Sequence, residues 1–219
     1  MKKRQFGNTD EKEKARELSE AEQKRLGRFN LLSDSLTAEG YRRTELTISI
    51  VKANVFAVIF MIPVLVISFG LFLMVNKTIS IHHSLSSLLI FIAVMFALVF
   101  VHELIHGASW AIFSEHHWKD IELGFMKQYL TPYCTCGVPL KKGPYLFGAL
   151  MPLVLLGILP IIAGILTGSL GVLFMGVIMT VSAAGDIMIV WQMLRYKSDA
   201  DEIVYLDHPT QGGLVIFEK

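Results

Sequence analysis

LSSLLIFIAVMFALVFVHELIHGASWAIF, residues 85–113, decides the fold. Residues 85–101 carry no charged residue. Its last third contains His102-Glu103-Leu104-Ile105-His106. A helix needs roughly 20 apolar residues to cross the hydrocarbon core of a bilayer, and this stretch is long enough. A charged side chain deep in a membrane helix costs roughly 2.5–3.5 kcal/mol on insertion scales. The reading of two histidines and a glutamate on a wet face of a soluble helix therefore fits poorly. A functional group inside a membrane span fits well.

Three more apolar runs surround it. They cover about 53–75, about 145–167 with Pro152 and Pro160 inside, and about 169–194 with the single acid Asp186. The last two are separated only by Thr167-Gly168-Ser169, which predicts a tight helical hairpin. The whole chain agrees: 53% of its 219 residues are hydrophobic and 18% charged, against about 25% charged in soluble domains. Mean hydropathy is +0.53. The expected fold class is all-α integral membrane, with four transmembrane helices. A net charge of +1 gives no argument for nucleic acid as a partner. The lipid bilayer is the partner the composition demands, and nothing in the chain sets an oligomeric state.

Residues 1–49 are polar and read as a solvated cytoplasmic arm, with a surface helix from Asp10 to Phe29 and Ser19 and Glu22 spaced as a capping box. A polar stretch of about 45 residues precedes the first apolar run, so no signal peptide is expected. Residues 50–197 form the membrane domain and 198–219 a cytoplasmic tail. Between helices two and three, Asp120–Met126 and Tyr129–Cys136 have the content of a β-hairpin. Glu202–Phe217 predicts a second small hairpin around His208-Pro209-Thr210-Gln211-Gly212-Gly213. Arg42, Arg43 and Lys52 precede helix one. Lys119, Lys127, Lys141 and Lys142 lie between helices two and three, and Arg195 and Lys197 follow helix four. The loop between helices one and two has only Lys77. This bias makes the chain a multi-pass cell-membrane protein with both termini cytoplasmic.

Residues four apart share a helix face, so His102 and His106 can grip one metal ion. Glu103, beside the first ligand, is placed to act as general base on a water at that metal. A catalytic zinc takes three protein ligands and keeps one position open. His102 and Asp186 each lie about 17 residues into helices that start on the same side, about 25 Å deep at 1.5 Å per residue. They arrive at one level, near the cytoplasmic boundary. Asp186 is therefore the expected third ligand, and Gly185 before it is read as permitting close approach. The expected cofactor is Zn2+, which histidine and carboxylate donors favour.

Other candidates are weaker. Glu115, His116, His117 and Glu122 lie past the end of helix two, where solvated side chains are common. Cys134 and Cys136, the only cysteines, are too close in sequence for an easy mutual disulfide. As thiolates beside both histidines they would close the site. His82 and His83 lie on the opposite side. Tyr133 is either an oxyanion donor or an interfacial aromatic.

These stretches resemble a known family. His102-Glu103-Leu104-Ile105-His106-Gly107, Thr131-Pro132-Tyr133-Cys134, Pro139-Leu140, Ala149-Leu150-Met151-Pro152, Ala184-Gly185-Asp186-Ile187 and Asp207-His208-Pro209-Thr210 together resemble the "putative zincin peptidase" family of small bacterial membrane proteins, over about residues 40–217. The layout is more distantly similar to site-2 proteases. That resemblance implies His102, His106 and Asp186 as ligands, Glu103 as base, and a membrane-protein or peptide substrate. Site-2 proteases carry their aspartate in an Asn-Pro-Asp-Gly-like context, which Ala184-Gly185-Asp186-Ile187 does not repeat. The expected function is thus a membrane metalloprotease (hydrolase) acting near the cytoplasmic face. The β-hairpin would offer an edge to an unwound substrate strand, and Pro152 and Pro160 would kink helix three and open a water path. Two alternatives are a zinc-dependent adaptor or immunity-type protein without catalysis, and a zinc hydrolase of a lipid or small amide.

Overall fold

The computed structural model describes residues 18–77, 84–126 and 131–219. His82, His83, Lys127, Tyr129 and the first part of the expected N-terminal helix lie outside them. Helix α1 runs Glu20–Ala38, nine residues past its expected end. Its start is the expected capping box. The Ser19 hydroxyl accepts from the Glu22 N–H, and the Glu22 carboxylate accepts from the Ser19 N–H at 2.9 Å.

The arm is not simply solvated. Phe29 is buried against Leu206, Val215 and Phe217, and strand β1 (Arg42–Thr47) pairs antiparallel with the last strand of the chain. The two termini thus build one three-stranded sheet in the order β1-β5-β4, with β4 at Ile203–Asp207 and β5 at Gly213–Glu218. The C-terminal hairpin is as expected. Its third strand is the addition, fixed in register from Arg42↔Glu218 to Thr47↔Gly213 and by the Arg42–Glu218 ion pair.

Helices α2 (Ile50–Val75) and α3 (Leu85–Ala111) are the first two expected spans. The third, residues 142–167, is composite. Helix α4 (Lys142–Pro152) passes into a π-helical turn at Leu153–Ile158 and then into α5 (Leu159–Thr167). Pro160 has no N–H to give the carbonyl four residues back, and the wide turn takes up the irregularity just before it. Gly168 at φ 69° ends α5 as a left-handed C-terminal cap.

The fourth apolar run departs further from expectation. It is a pair, α6 (Leu170–Ser182) and α7 (Ala184–Arg195), bent by 46°. Among the described residues, three helices are long and apolar enough to cross a membrane, and four if the bent pair counts as one span.

Small residues let the helices touch. A Cβ on Gly164 would lie 2.5 Å from the Leu173 backbone, and one on Gly176 would lie 2.6 Å from the Ile161 backbone, so α5 and α6 pack backbone to backbone. Asn76 closes the end of α2 onto α5 by donating to the Ile165 carbonyl at 2.9 Å. The outer faces of α2 and α3 expose large apolar side chains such as Ile59, Ile62, Val66, Leu89 and Phe96, as a helix surrounded by hydrocarbon does.

The expected hairpin between the second and third spans is present. Strands β2 (Ile121–Met126) and β3 (Thr131–Cys136) pair antiparallel from Ile121↔Cys136 to Met126↔Thr131. A Leu140↔Tyr205 bridge ties the segment after β3 to the terminal sheet. One buried cluster then joins helices and strands: Trp110 of α3, Tyr145 and Ala149 of α4, Val190 and Met193 of α7, with Cys136, Leu140, Tyr205, Leu214 and Ile216. The sheets and both described chain ends therefore sit at one end of the helical bundle.

Candidate metal centre

The last turns of α3 are buried where its first turns are not. His102 and His106, one helical turn apart, are 7% and 4% exposed. Asp186 reaches them from the first turn of α7, just past the bend at Ala183. The three distances are short and similar. His102 Nε2 lies 3.1 Å from His106 Nε2 and 3.2 Å from Asp186 Oδ2, and His106 Nε2 lies 3.5 Å from Asp186 Oδ1. Donors held at about 2.0–2.1 Å from a tetrahedral zinc are roughly 3.3–3.4 Å apart. The donor set and its spacing fit that ion.

The His106 tautomer suits the same role. Its Nδ1–H donates to the Gly148 carbonyl oxygen at 2.8 Å, which leaves the Nε2 lone pair pointing at the cluster. Its ring stacks on Trp110, with centroids 5.2 Å apart. His102 Nδ1 is buried with no hydrogen-bond partner among the described residues.

The expected level match between α3 and the fourth run holds, but the bend is part of how it is reached. Gly185 is not a close-approach residue: a Cβ there would meet nothing within 4 Å. Close approach is made by other glycines. A Cβ on Gly148 would fall 2.0 Å from the Trp110 indole. One on Gly107 would fall 2.9 Å from Ile121, 3.1 Å from Trp118 and 3.2 Å from the Cys134 sulfur. The hairpin therefore lies directly on the motif helix.

That contact reaches Glu103. Glu103 and Cys134 line one cavity, and the Cys134 backbone N–H lies on the edge of β3 that faces the Glu103 carboxylate. On that edge the Cys136 N–H is taken by Asp207 Oδ2 at 2.7 Å, the Cys134 N–H faces Glu103, and Pro132 has no N–H to offer.

A cavity of about 180 Å³ opens beside these groups. Glu103, His106, Asp186, Tyr133, Asp207 and Arg25 are among the residues lining it. Arg25, from α1, stacks its guanidinium 4.5 Å over the Tyr133 ring. Tyr133 in turn lies across Gly124.

The other candidates are occupied elsewhere. His116 pairs with Asp120 at 3.3 Å, and His117 donates to the Ala111 carbonyl at 2.8 Å. Glu122 pairs with Arg25 at 3.7 Å and also with Arg28, and Glu115 is exposed. Among the described residues, only His102, His106 and Asp186 form a group able to hold a metal. The cysteines stand outside it, and burial pushes the Cys136 thiol up to about 12 and Cys134 higher still.

Sequence reasoning missed Arg25 and the Gly148 carbonyl. An arginine on a polar arm has no distinguishing neighbour, and a backbone acceptor has no side-chain signature at all.

Residues 95–200 match the model of the "putative zincin peptidase" family. The match takes in the two histidines, Glu103, the β2–β3 hairpin and Asp186. It covers just under half of the chain and leaves out α1, α2 and the terminal sheet, so it is shorter than the resemblance drawn over about 40–217. No curated protein and no solved structure matches the chain. The likeness to site-2 proteases has no counterpart in these comparisons. All three side chains lie within the matched segment.

Proposed function

We propose that the chain is a membrane-embedded zinc metallopeptidase, with His102, His106 and Asp186 as metal ligands and Glu103 as general base. The observation that carries this reading is the set of 3.1, 3.2 and 3.5 Å separations among three side chains from two helices. When bound there, zinc would acidify a water and polarise a substrate carbonyl.

The chain's own groups do the rest. Glu103 takes the proton from the attacking water at its carboxylate and passes it to the leaving amine. His106 is held in one tautomer by the Gly148 carbonyl. Trp110, Tyr145 and Ala149 wall the cavity on the helical side and limit access of bulk water.

The substrate class is a peptide or membrane-protein segment, unwound before cleavage because a peptide bond inside a stable helix is shielded. A substrate strand pairing on the outward edge of β3 has to displace Asp207 from the Cys136 N–H and enter between β3 and Glu103. The basic residues Arg42, Arg43, Lys52, Lys119, Lys141, Lys142, Arg195 and Lys197 flank the site's end of the bundle. That end is therefore read as cytoplasmic, in a multi-pass protein of the cell membrane.

The test is purified protein in detergent or liposomes, given fluorogenic casein and membrane-spanning reporter segments. Wild type cleaves, and Glu103→Gln retains zinc and does not. Cleavage by Glu103→Gln at the wild-type rate contradicts the reading and favours a metal-dependent protein without this chemistry.

A further inference from the structure

Among the described residues, strand β3 has one strand partner, β2. Its other edge lies against α3 and the terminal sheet, where its backbone donors need acceptors. Two carboxylates face them. Asp207 takes the Cys136 N–H at 2.7 Å, and Glu103 faces the Cys134 N–H two residues along the same edge.

Asp207 does more than fill a vacant acceptor role. Its second oxygen accepts from the Tyr145 hydroxyl at 2.5 Å, so one side chain joins β3 to α4. Tyr145 belongs to the stack that runs from the metal group: His106 on Trp110, then Trp110 on Tyr145 with centroids 5.6 Å apart. The Trp110 indole N–H also donates to the Tyr145 carbonyl at 3.2 Å.

Asp207 is itself on a fixed frame. It ends β4 opposite Leu214. The turn after it is closed by the His208 N–H on the Gly213 carbonyl at 3.0 Å, and by the Gln211 N–H on His208 Nδ1 at 3.0 Å. It lines the same cavity as Glu103, His106 and Asp186. It also lies beyond the family match, which ends at residue 200.

We infer that Asp207 is a positioning residue of the metallopeptidase: by bridging Tyr145 and the Cys136 N–H it fixes β3, and through β3 the Cys134 N–H that orients Glu103. The inference rests on the metallopeptidase reading. The C-terminal sheet is then part of the active machinery, and the working unit extends past the family segment.

The test compares Asp207→Ala and Asp207→Asn in the full chain by zinc content, kcat and backbone hydrogen exchange. Asp207→Ala should keep wild-type zinc while kcat falls about 10–100-fold, the usual cost of losing an outer-shell partner. Amide exchange over residues 131–136 should speed at least about tenfold, with α3 unchanged, because the lost acceptor frees the edge. Asp207→Asn should recover kcat to within about threefold, since an amide can accept from Cys136 and donate to the Tyr145 oxygen.

Unchanged exchange over 131–136 in Asp207→Ala, or kcat within about threefold of wild type, overturns the inference. Loss of zinc in step with activity overturns it too, by making Asp207 merely structural. Failure of the broader reading looks different. Hydrolysis that survives Glu103→Gln removes the metallopeptidase, while the exchange rates still report whether Asp207 holds the strand.

Discussion

Helix α3 has two halves that obey opposite rules. From Leu85 to Phe100 it is almost wholly apolar, and its side chains are exposed, with Leu89 58% and Phe96 68% accessible. From His102 to Ala111 it carries two histidines, a glutamate, a serine and a tryptophan, and most of these positions are buried. In water the pattern would be inverted. Hydrocarbon would dissolve the first half, whereas polar groups in the second would have to find partners inside the protein. The more polar half therefore builds the site.

The largest effect should come from the polar half. Glu103→Gln should lower kcat by about 10²–10⁴-fold, measured on any cleaved reporter, with zinc content unchanged. A drop of less than tenfold breaks the contrast, because Glu103 would then be a buried polar group and nothing more.

Next is packing under the site. Gly148→Val puts a side chain where the Trp110 indole already sits, 2.0 Å from a new Cβ. It also disturbs the backbone whose carbonyl fixes His106. Overpacking of this kind costs about 1–3 kcal/mol or more. Thermal unfolding in detergent should show a clear fall in Tm, accompanied by weaker zinc retention.

A smaller effect concerns pH. Burial pushes the Asp207 carboxyl up to about 6 from its usual 3.8, although Tyr145 and the Cys136 N–H donate to it. The fold therefore favours the protonated form, while the unfolded chain releases the proton near 3.8. The stability this contributes is full below about 3.8 and is lost as pH rises through about 6. Wild-type Tm, taken relative to that of Asp207→Asn, should fall between pH 4 and 7. A flat difference would show that the carboxyl is not held up by burial.

The smallest effect belongs to the apolar half. Leu89→Val or Ile90→Val should change stability by no more than about 0.5 kcal/mol, because these side chains are exposed and pack against little of the protein. A loss of several kcal/mol at Leu89 would mean that this half packs against protein.

The same contrast explains what was legible in the chain. The apolar runs stood out because a charge-free run of some 20 residues has few other uses, and the outer bounds of the helical stretches fall within about three residues of the expected ones. The metal group was legible because i,i+4 spacing and equal depth are both one-dimensional facts. Capping at Ser19 and both hairpins were local patterns of the same kind.

What escaped was long-range or carried by the backbone. Pairing of β1 with β5 joins Arg42 to Glu218, and a six-residue strand gives no sign of so distant a partner. The bend at Ala183 contains neither proline nor glycine. The engaged edge of β3 depends on which N–H groups point outward, a matter of register that the hairpin's composition does not encode.

The central claim is a three-ligand zinc site with a separate base, and zinc binding of four proteins tests it most directly. After chelation and titration with zinc alone, wild type and Glu103→Gln should each bind one ion per chain with similar affinity. His106→Ala and Asp186→Ala should bind at least about 10–100-fold more weakly. Undiminished zinc affinity in Asp186→Ala, or no tight zinc in wild type, would contradict the account.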